Sequence, residues 1–215
     1  MIEYVKIQTA NKRAEDGSKK LIEDDYINET IEYLKDLPFI WQEKIDGTNI
    51  SVVWDGHTVE LHGRTADSSI PSSLVNQLTN LFKTQESEEL FEQKFGEKKF
   101  ILYGEGFGTK VQGGGSGGQY LEQGVDFALF DVYSIDSDCW LKRDSVHDIA
   151  MAFGLREPDY LFEGTIKNAI EFVKTKPKSN IGNADMEGVV GRPLLELRDR
   201  MGKRIIVKVK VRDYT

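Results

Sequence analysis

Two runs of strand-forming residues, TNISVVWD at 48–55 and HTVELHGR at 57–64, meet at Asp55 and Gly56. An Asp-Gly pair between such runs is the strongest short-range signal for a β-hairpin, because both residues tolerate the positive φ of a tight turn. A hairpin makes its two strands antiparallel neighbours, and the other segments must be fitted round that constraint. IEYVKIQT at 2–9 alternates like a strand, and YINETIEYLKDL at 26–37 sets Ile27, Ile31 and Leu34 at helical spacing before Pro38 stops it. FIWQEKI at 39–45, KKFILYGEGFG at 98–108 and VDFALFDVYSI at 125–135 read as strands. So do DMEGVVGRP at 185–193 and KRIIVKVKVR at 203–212, with a turn near Gly202. Residues 71–95 read as one or two helices opened by Pro71, and 143–154 and 163–174 as further helices. Helices and strands do not alternate strictly. The expected fold is therefore α+β, mostly antiparallel sheets with flanking helices, rather than a doubly wound sheet. Residues 1–215 are expected to form a single domain with no separate C-terminal domain. The glycine-rich 113–118 reads as a loop beside a site, because strands of matching chemistry stand on both sides of it.

A chain of 215 residues can bury a substantial core, and 39% hydrophobic with 30% charged residues is a soluble globular composition. No apolar run approaches the roughly 20 residues of a membrane helix, and the N-terminus lacks the apolar centre of a signal peptide. Cys139 is the sole cysteine, so no internal disulfide forms, and a reducing, cytoplasmic setting is expected for a monomer with no membrane attachment. A net charge of −8 argues against nucleic-acid binding by bulk charge. The charge is unevenly spread, however. Segment 198–212 holds seven Lys or Arg against one Asp, while acid gathers at 23–36 and 86–97, where it reads as solvated helix faces.

Common site signatures are absent. GEGFG does not satisfy the dinucleotide-binding pattern, and no glycine-rich loop ends in Gly-Lys-Ser/Thr. His57, His62 and His147 lack metal-ligand spacing, and there is no G-x-S-x-G elbow. What remains is a set of polar groups near strand ends: EKIDGTN at 43–49, HGRT at 62–65, YGEGFG at 103–108, LFDVY at 129–133, MEGVV at 186–190 and VKVKV at 207–211. Strand alternation puts Lys208 and Lys210 on one face, about 7 Å apart. They repel each other unless an anion lies between them, and phosphate is the obvious candidate. Taken alone, the strand equally fits an edge whose wet lysines discourage aggregation. Phe130 alone fits a core residue, and alternation sends Asp131 to the opposite face.

The order Lys-x-Asp-Gly, Arg, Gly-Glu, Phe-Asp, Glu-Gly-Val-Val, Lys-x-Lys resembles the covalent nucleotidyltransferases: DNA ligases, RNA ligases and messenger-RNA capping enzymes. EKIDGTN, YGEGFG and EGVV look like the nick-sealing RNA ligases, typified by the second RNA ligase of a T-even bacteriophage. DNA ligases usually place Arg shortly after the motif glycine, and here Thr48-Asn49 stands there. The resemblance covers residues 41–212, the catalytic domain only.

The resemblance implies an ATP-dependent RNA ligase whose Lys44 attacks the α-phosphorus of ATP and carries AMP as lysyl-AMP. AMP then passes to an RNA 5′-phosphate, and a 3′-hydroxyl displaces it, most naturally at a nick in a duplex. Lys208 and Lys210 would hold the α-phosphate, Phe130 would stack on adenine, and Glu43 would also contact the nucleotide. Asn49 and Arg64 would handle the 5′-phosphate, a task that suits the planar guanidinium. Mg²⁺ or Mn²⁺ is expected on Asp46, Glu105 and Glu187, with ribose contact as the other reading of Glu105. A free lysine has a pKa of about 10.4, so the nucleophile needs nearby cations or desolvation to shed its proton. The alternatives are a DNA or mixed RNA–DNA ligase, and an RNA-end-binding module without catalysis.

Overall fold

The computed structural model describes residues 2–16, 18, 20–65, 68–111 and 120–215. The glycine-rich 113–118 lies outside them. The chain forms two compact units, Val5–Ile45 with Asp159–Thr215, and Met1–Tyr4 with Asp46–Pro158. It runs through β1 (Gln8–Thr9), β2 (Asn11–Arg13), β3 (Leu21–Tyr26), α1 (Glu29–Leu34) and β4 (Phe39–Glu43) in the first. The second unit holds β5 (Thr48–Trp54), β6 (Val59–His62), α2 (Ser72–Phe82), α3 (Gln85–Phe95), β7 (Phe100–Gly108), β8 (Val125–Ser134), β9 (Cys139–Trp140) and α4 (Arg143–Ala152). The chain then returns to the first with β10 (Tyr160–Gly164), α5 (Ile166–Lys174), β11 (Gly188–Pro193), β12 (Val207–Lys210) and α6 (Val211–Tyr214). The fold is thus α+β and mostly antiparallel. Among the described residues no helix is long and apolar enough to cross a membrane.

In the unit containing Asp46–Pro158, the sheet order is β6-β5-β7-β8-β9. The Asp55-Gly56 hairpin forms with a loop of residues 55–58, because Asp55 Oδ1 accepts from the amides of both His57 (2.8 Å) and Thr58 (2.7 Å). Ile50, Val52, Trp54, Leu102, Phe127 and Leu129 line one sheet face and pack against Leu74, Leu78, Phe82 and Phe91 of α2 and α3. Strand alternation turns the residues between them to the opposite face. There Asn49 stands directly across from Glu105, which in turn faces Ala128.

The register shifts between Tyr103 and Gly104, leaving Phe130 as the extra residue on β8. A bulge breaks alternation. Asp131 therefore does not oppose Phe130: Tyr4 meets both, its ring 5.0 Å from that of Phe130 and its hydroxyl donating to Asp131 Oδ2 at 2.8 Å. The same contacts account for the missing start of the strand expected at 2–9. Tyr103 donates its hydroxyl to the Ile2 carbonyl, and only Gln8 and Thr9 remain to pair.

In the other unit the sheet order is β1-β12-β11-β4-β10, antiparallel throughout except for β1 beside β12. Trp41, Val189, Val207 and Val209 form its core face and pack on Ile166, Ala169, Ile170 and Val173 of α5. Thr165 caps that helix through the Asn168 amide, so α5 starts later than 163 and the preceding residues form β10. Asn28 caps α1 by accepting from the Ile31 amide at 2.9 Å. Val207 and Val209 are buried and Lys208 and Lys210 share the other face, as alternation predicts.

Candidate active site

The glycines of the two motifs are required by close backbone approach. A Cβ on Gly47 would collide with the Gly106 carbonyl, and one on Gly188 with the Val209 carbonyl. Gly188 thereby lets β11 lie tight on β12, opposite Lys210, while its own carbonyl accepts from the Lys44 amide at 2.9 Å. Three neighbouring strand ends, those of β4, β11 and β12, thus deliver Lys44, Glu187 and Lys210 to one place.

Their side chains meet. Lys44 Nζ donates to Glu187 Oε2 at 2.6 Å, and Lys210 Nζ donates to Glu187 Oε1. Side-chain exposure is 21% for Lys44, 11% for Glu187 and 12% for Lys210, so bulk water screens these charges weakly. Burial pushes the Glu187 carboxyl up, but Lys44 and Lys210 together more than offset it and hold it below the usual range. The Glu187 carboxylate thus bridges Lys44 and Lys210, not the Lys208–Lys210 pair between which an anion was expected.

Lys208 has no ion-pair partner among the described residues. Burial, and then the charges of Lys210 and Lys44, push its ammonium down to about 8. Three lysines against one carboxylate leave a net charge of +2 when Lys208 is protonated. An entering phosphate relieves that excess and raises the Lys208 pKa. Below pH 8 Lys208 is charged with or without ligand. Above it, binding must take up a proton. ATP affinity measured without divalent metal should therefore fall as pH rises through 8, by up to about tenfold per unit. Titration calorimetry at pH 7, 8 and 9 checks this, and Lys208→Arg should flatten the dependence because arginine stays charged. An equally steep fall in that variant would contradict it.

Glu43 precedes Lys44 but points the other way and is buried. Its carboxylate accepts from the Ser179 hydroxyl and from the Asn180 amide at 3.0 Å, while Ser179 Oγ accepts from the Ile181 amide at 2.9 Å. Burial raises its pKa and these hydrogen bonds oppose the rise. Glu43 thus fastens the segment that leads into Glu187.

In the second unit Asn49 and Glu105 are cross-strand neighbours, which sets their Cβ atoms about 5 Å apart. Asn49 Oδ1 is buried with no hydrogen-bond partner among the described residues. A flip of that amide presents its NH₂ at the same point, so the position suits either a hydroxyl or a phosphate. Phe130 lies beyond Ala128 on the adjoining strand, with Tyr4 edge-on to its ring. Arg64 is exposed past the end of β6. The Asp46 amide donates to the buried Tyr120 hydroxyl at 2.9 Å. The unit division falls between Ile45 and Asp46, so Lys-x-Asp-Gly contributes to both units.

Among the described residues no group of three or more His, Cys, Asp or Glu could hold a metal. Asp46, Glu105 and Glu187 therefore form no carboxylate cage. Mg²⁺ needs only one or two carboxylates and completes its shell with water and substrate phosphate, so the absence of a carboxylate cage does not decide the matter.

Of the residues singled out in the sequence, the structure brings Lys44, Lys210 and Glu187 together, and the pairing of Glu187 with both lysines had no sequence signal. Tyr4 and Ser179 gave no local signal, because their partners lie 127 and 136 residues away.

The comparisons with known proteins bear on the fold and the family. No curated protein matches the chain. RNA ligase of Naegleria gruberi, solved as a mutant with ATP and Mn, superposes with a TM-score of 0.67 at 18% identity, covering 97% of this chain and 56% of that one. The same enzyme with PPi gives 0.63 at 22%, covering 86% and 52%, and a mutant with AMP and Mn gives 0.64 at 20%, covering 86% and 53%. At such identities the likeness is one of fold, and the chain spans about half the length of these structures. The sequence model described as RNA ligase matches residues 37–210, a span that runs from β4 to the last lysine of β12. With both the strand framework and the lysine-bearing strand ends inside that span, the chain belongs to the RNA ligase family.

Proposed function

We propose that the chain is an ATP-dependent RNA ligase of the nick-sealing kind, joining 3′-hydroxyl and 5′-phosphate ends through lysyl-AMP. The observation that carries this reading is the cluster of Lys44, Glu187, Lys208 and Lys210, a cationic, half-buried set with a primary amine at its edge. ATP brings negative charge to it. Lys208 and Lys210 attract the α-phosphate and stabilise the charge that develops during displacement. As the phosphate takes up the lysine charges, Glu187 is no longer needed as counter-ion to all of them, and Lys44 can leave it.

The Lys44 ammonium first gives up a proton, and Nζ, now a neutral amine with a free lone pair, attacks the α-phosphorus. The N–P bond forms, the bond to the bridging oxygen breaks, and pyrophosphate departs with that oxygen. Glu187 Oε2, 2.6 Å from Nζ in the resting protein, is placed to take the amine proton. A divalent metal held by Asp46, Glu105 or Glu187 would supply charge neutralisation for the phosphates. Phe130 offers a face to adenine, a contact of about 1–3 kcal/mol.

AMP then moves from Lys44 to an RNA 5′-phosphate, and a 3′-hydroxyl attacks that phosphate and expels AMP. Asn49 and Arg64 would position the 5′-phosphate. Arg64→Ala should keep self-adenylylation near normal while sealing from the adenylylated protein falls about 10²-fold, the scale for losing one oriented phosphate contact. Single-turnover sealing of a nicked RNA duplex measures it. Undiminished sealing would remove Arg64 from the site.

The defining experiment is incubation with α-labelled ATP and Mg²⁺, followed by a nicked RNA duplex. Label should appear on the protein and then leave as AMP while the nick closes. A panel with each strand made of RNA or DNA separates RNA from DNA or mixed ligation. RNA binding without any labelled protein would favour an end-binding module.

A further inference from the structure

Four of the seven basic residues in 198–212, namely Arg198, Arg200, Lys203 and Arg204, lie on the connection between β11 and β12 rather than among the site lysines. This connection is a built turn. Asp199 and Lys203 pair through the Asp199 amide and Lys203 carbonyl at 2.8 Å, and Ile205 donates its amide to Leu197 at 3.1 Å. Asp199 Oδ1 accepts from the amides of Met201 (2.8 Å) and Lys203 (2.9 Å), and Gly202 takes a φ of +77° that favours glycine. The Arg198 guanidinium donates to the Gly202 carbonyl at 3.0 Å.

Asp199 is the only acid in 198–212, and its carboxylate is engaged with backbone amides. Glu196, the other acid of the connection, lines a shallow pocket with Arg192, Arg198 and Arg204. Arg200 and Lys203 at the tip are exposed and have no carboxylate partner among the described residues, and Met201 between them is 81% exposed. Seven basic residues against one Asp give the segment +6, which leaves −14 on the rest of a chain of net −8. A hydrogen-bonded cationic tip on an acidic protein is selective in its electrostatics: it attracts a polyanion locally while the remaining surface repels it.

We propose that this hairpin, with Arg200 and Lys203 at its tip and Arg198 beside them, is an RNA-docking element that grips the phosphate backbone of the duplex, apart from the residues that handle the reacting ends. The proposal rests on the RNA-joining reading above. It names a surface that supplies grip without taking part in adenylylation. Each cation that meets a phosphate releases a counterion, so the contact registers in the salt dependence of binding.

The test is fluorescence anisotropy with a labelled nicked RNA duplex, for the wild type and for the Arg200→Ala/Lys203→Ala double variant, across a salt series. Formation of labelled lysyl-AMP is measured in parallel. The double variant should bind about 10- to 100-fold more weakly at low salt, and its log K against log salt slope should be shallower by about two. Its adenylylation should equal that of the wild type. Equal affinity and slope in the two proteins would overturn the assignment and leave the tip as a contact for another protein. In that case normal wild-type adenylylation and RNA binding would show the ligase reading intact. Absence of both in the wild type would overturn the two together.

Discussion

Lys44→Ala should abolish transfer of label from α-labelled ATP to the protein, a loss of roughly 10³-fold or more, the scale seen when a covalent nucleophile is removed. The variant also frees Glu187 Oε2 from its 2.6 Å partner, so a loss of activity alone would not separate chemistry from disturbance of the cluster. Lys44→Arg makes that separation. A guanidinium keeps the charge and can still pair with Glu187, but it stays protonated and cannot serve as a nucleophile. Lys44→Arg should therefore melt near the wild-type temperature, bind ATP and form no adduct. Gel autoradiography after ATP labelling reads the adduct, and a thermal scan reads the fold. A normal adduct in either variant would place the AMP on another residue and end the assignment.

Glu187→Ala should have the largest effect on stability. Glu187 pairs with both Lys44 and Lys210, and its removal takes the shared counter-charge from a site that also holds Lys208. Breaking a largely buried pair by deleting one partner costs on the order of 3–5 kcal/mol, because the remaining charges stay buried without compensation. For a chain of this size that is roughly a 6–20 °C drop in Tm. Inorganic phosphate should restore much of the loss by supplying the missing charge.

The pH dependence has a definite sign. The Glu187 pKa is lowered in the folded wild type. Its contribution is therefore present above the unfolded carboxyl value and is lost as pH falls through the folded one. The variant lacks that acid-sensitive part. The Lys208 pKa is lowered to about 8 in the wild type. Between that value and the unfolded lysine value the unfolded chain binds more protons, so stability from this group rises with pH. The alanine variant should gain more from such a rise, since Lys208 there faces two cations without Glu187. Differential scanning fluorimetry across pH 6–10, with and without phosphate, checks both statements. A variant as stable as the wild type, indifferent to phosphate, would remove Glu187 from its role as counter-ion.

Local chemistry determined a good part of this protein from sequence. Asp55 and Gly56 made the hairpin, because an Asp carboxylate can cap its own turn whatever lies elsewhere. Val207 and Val209 faced inward and Lys208 and Lys210 outward, because a period of two is a property of the strand itself. Two large helices followed Pro71, and Pro38 came after α1, for equally local reasons. Lys44 was legible only in combination with the other motifs, since no single lysine before a turn differs from a surface lysine.

Only the tertiary structure decided what those residues meet. Glu187 reaches Lys44 across 143 positions of sequence, and that pairing exists because Gly188 lets three strand ends converge. The bulge at Phe130 put Asp131 within reach of Tyr4, which strict alternation forbids. The parallel pairing of β1 with β12 and the division of Lys-x-Asp-Gly between two units have the same origin. Periodicity and turn chemistry act over a few residues and are written in the order of the chain. Ion pairs, bulges and strand neighbours depend on which distant segments close upon each other, and that is settled by burial summed over the whole core.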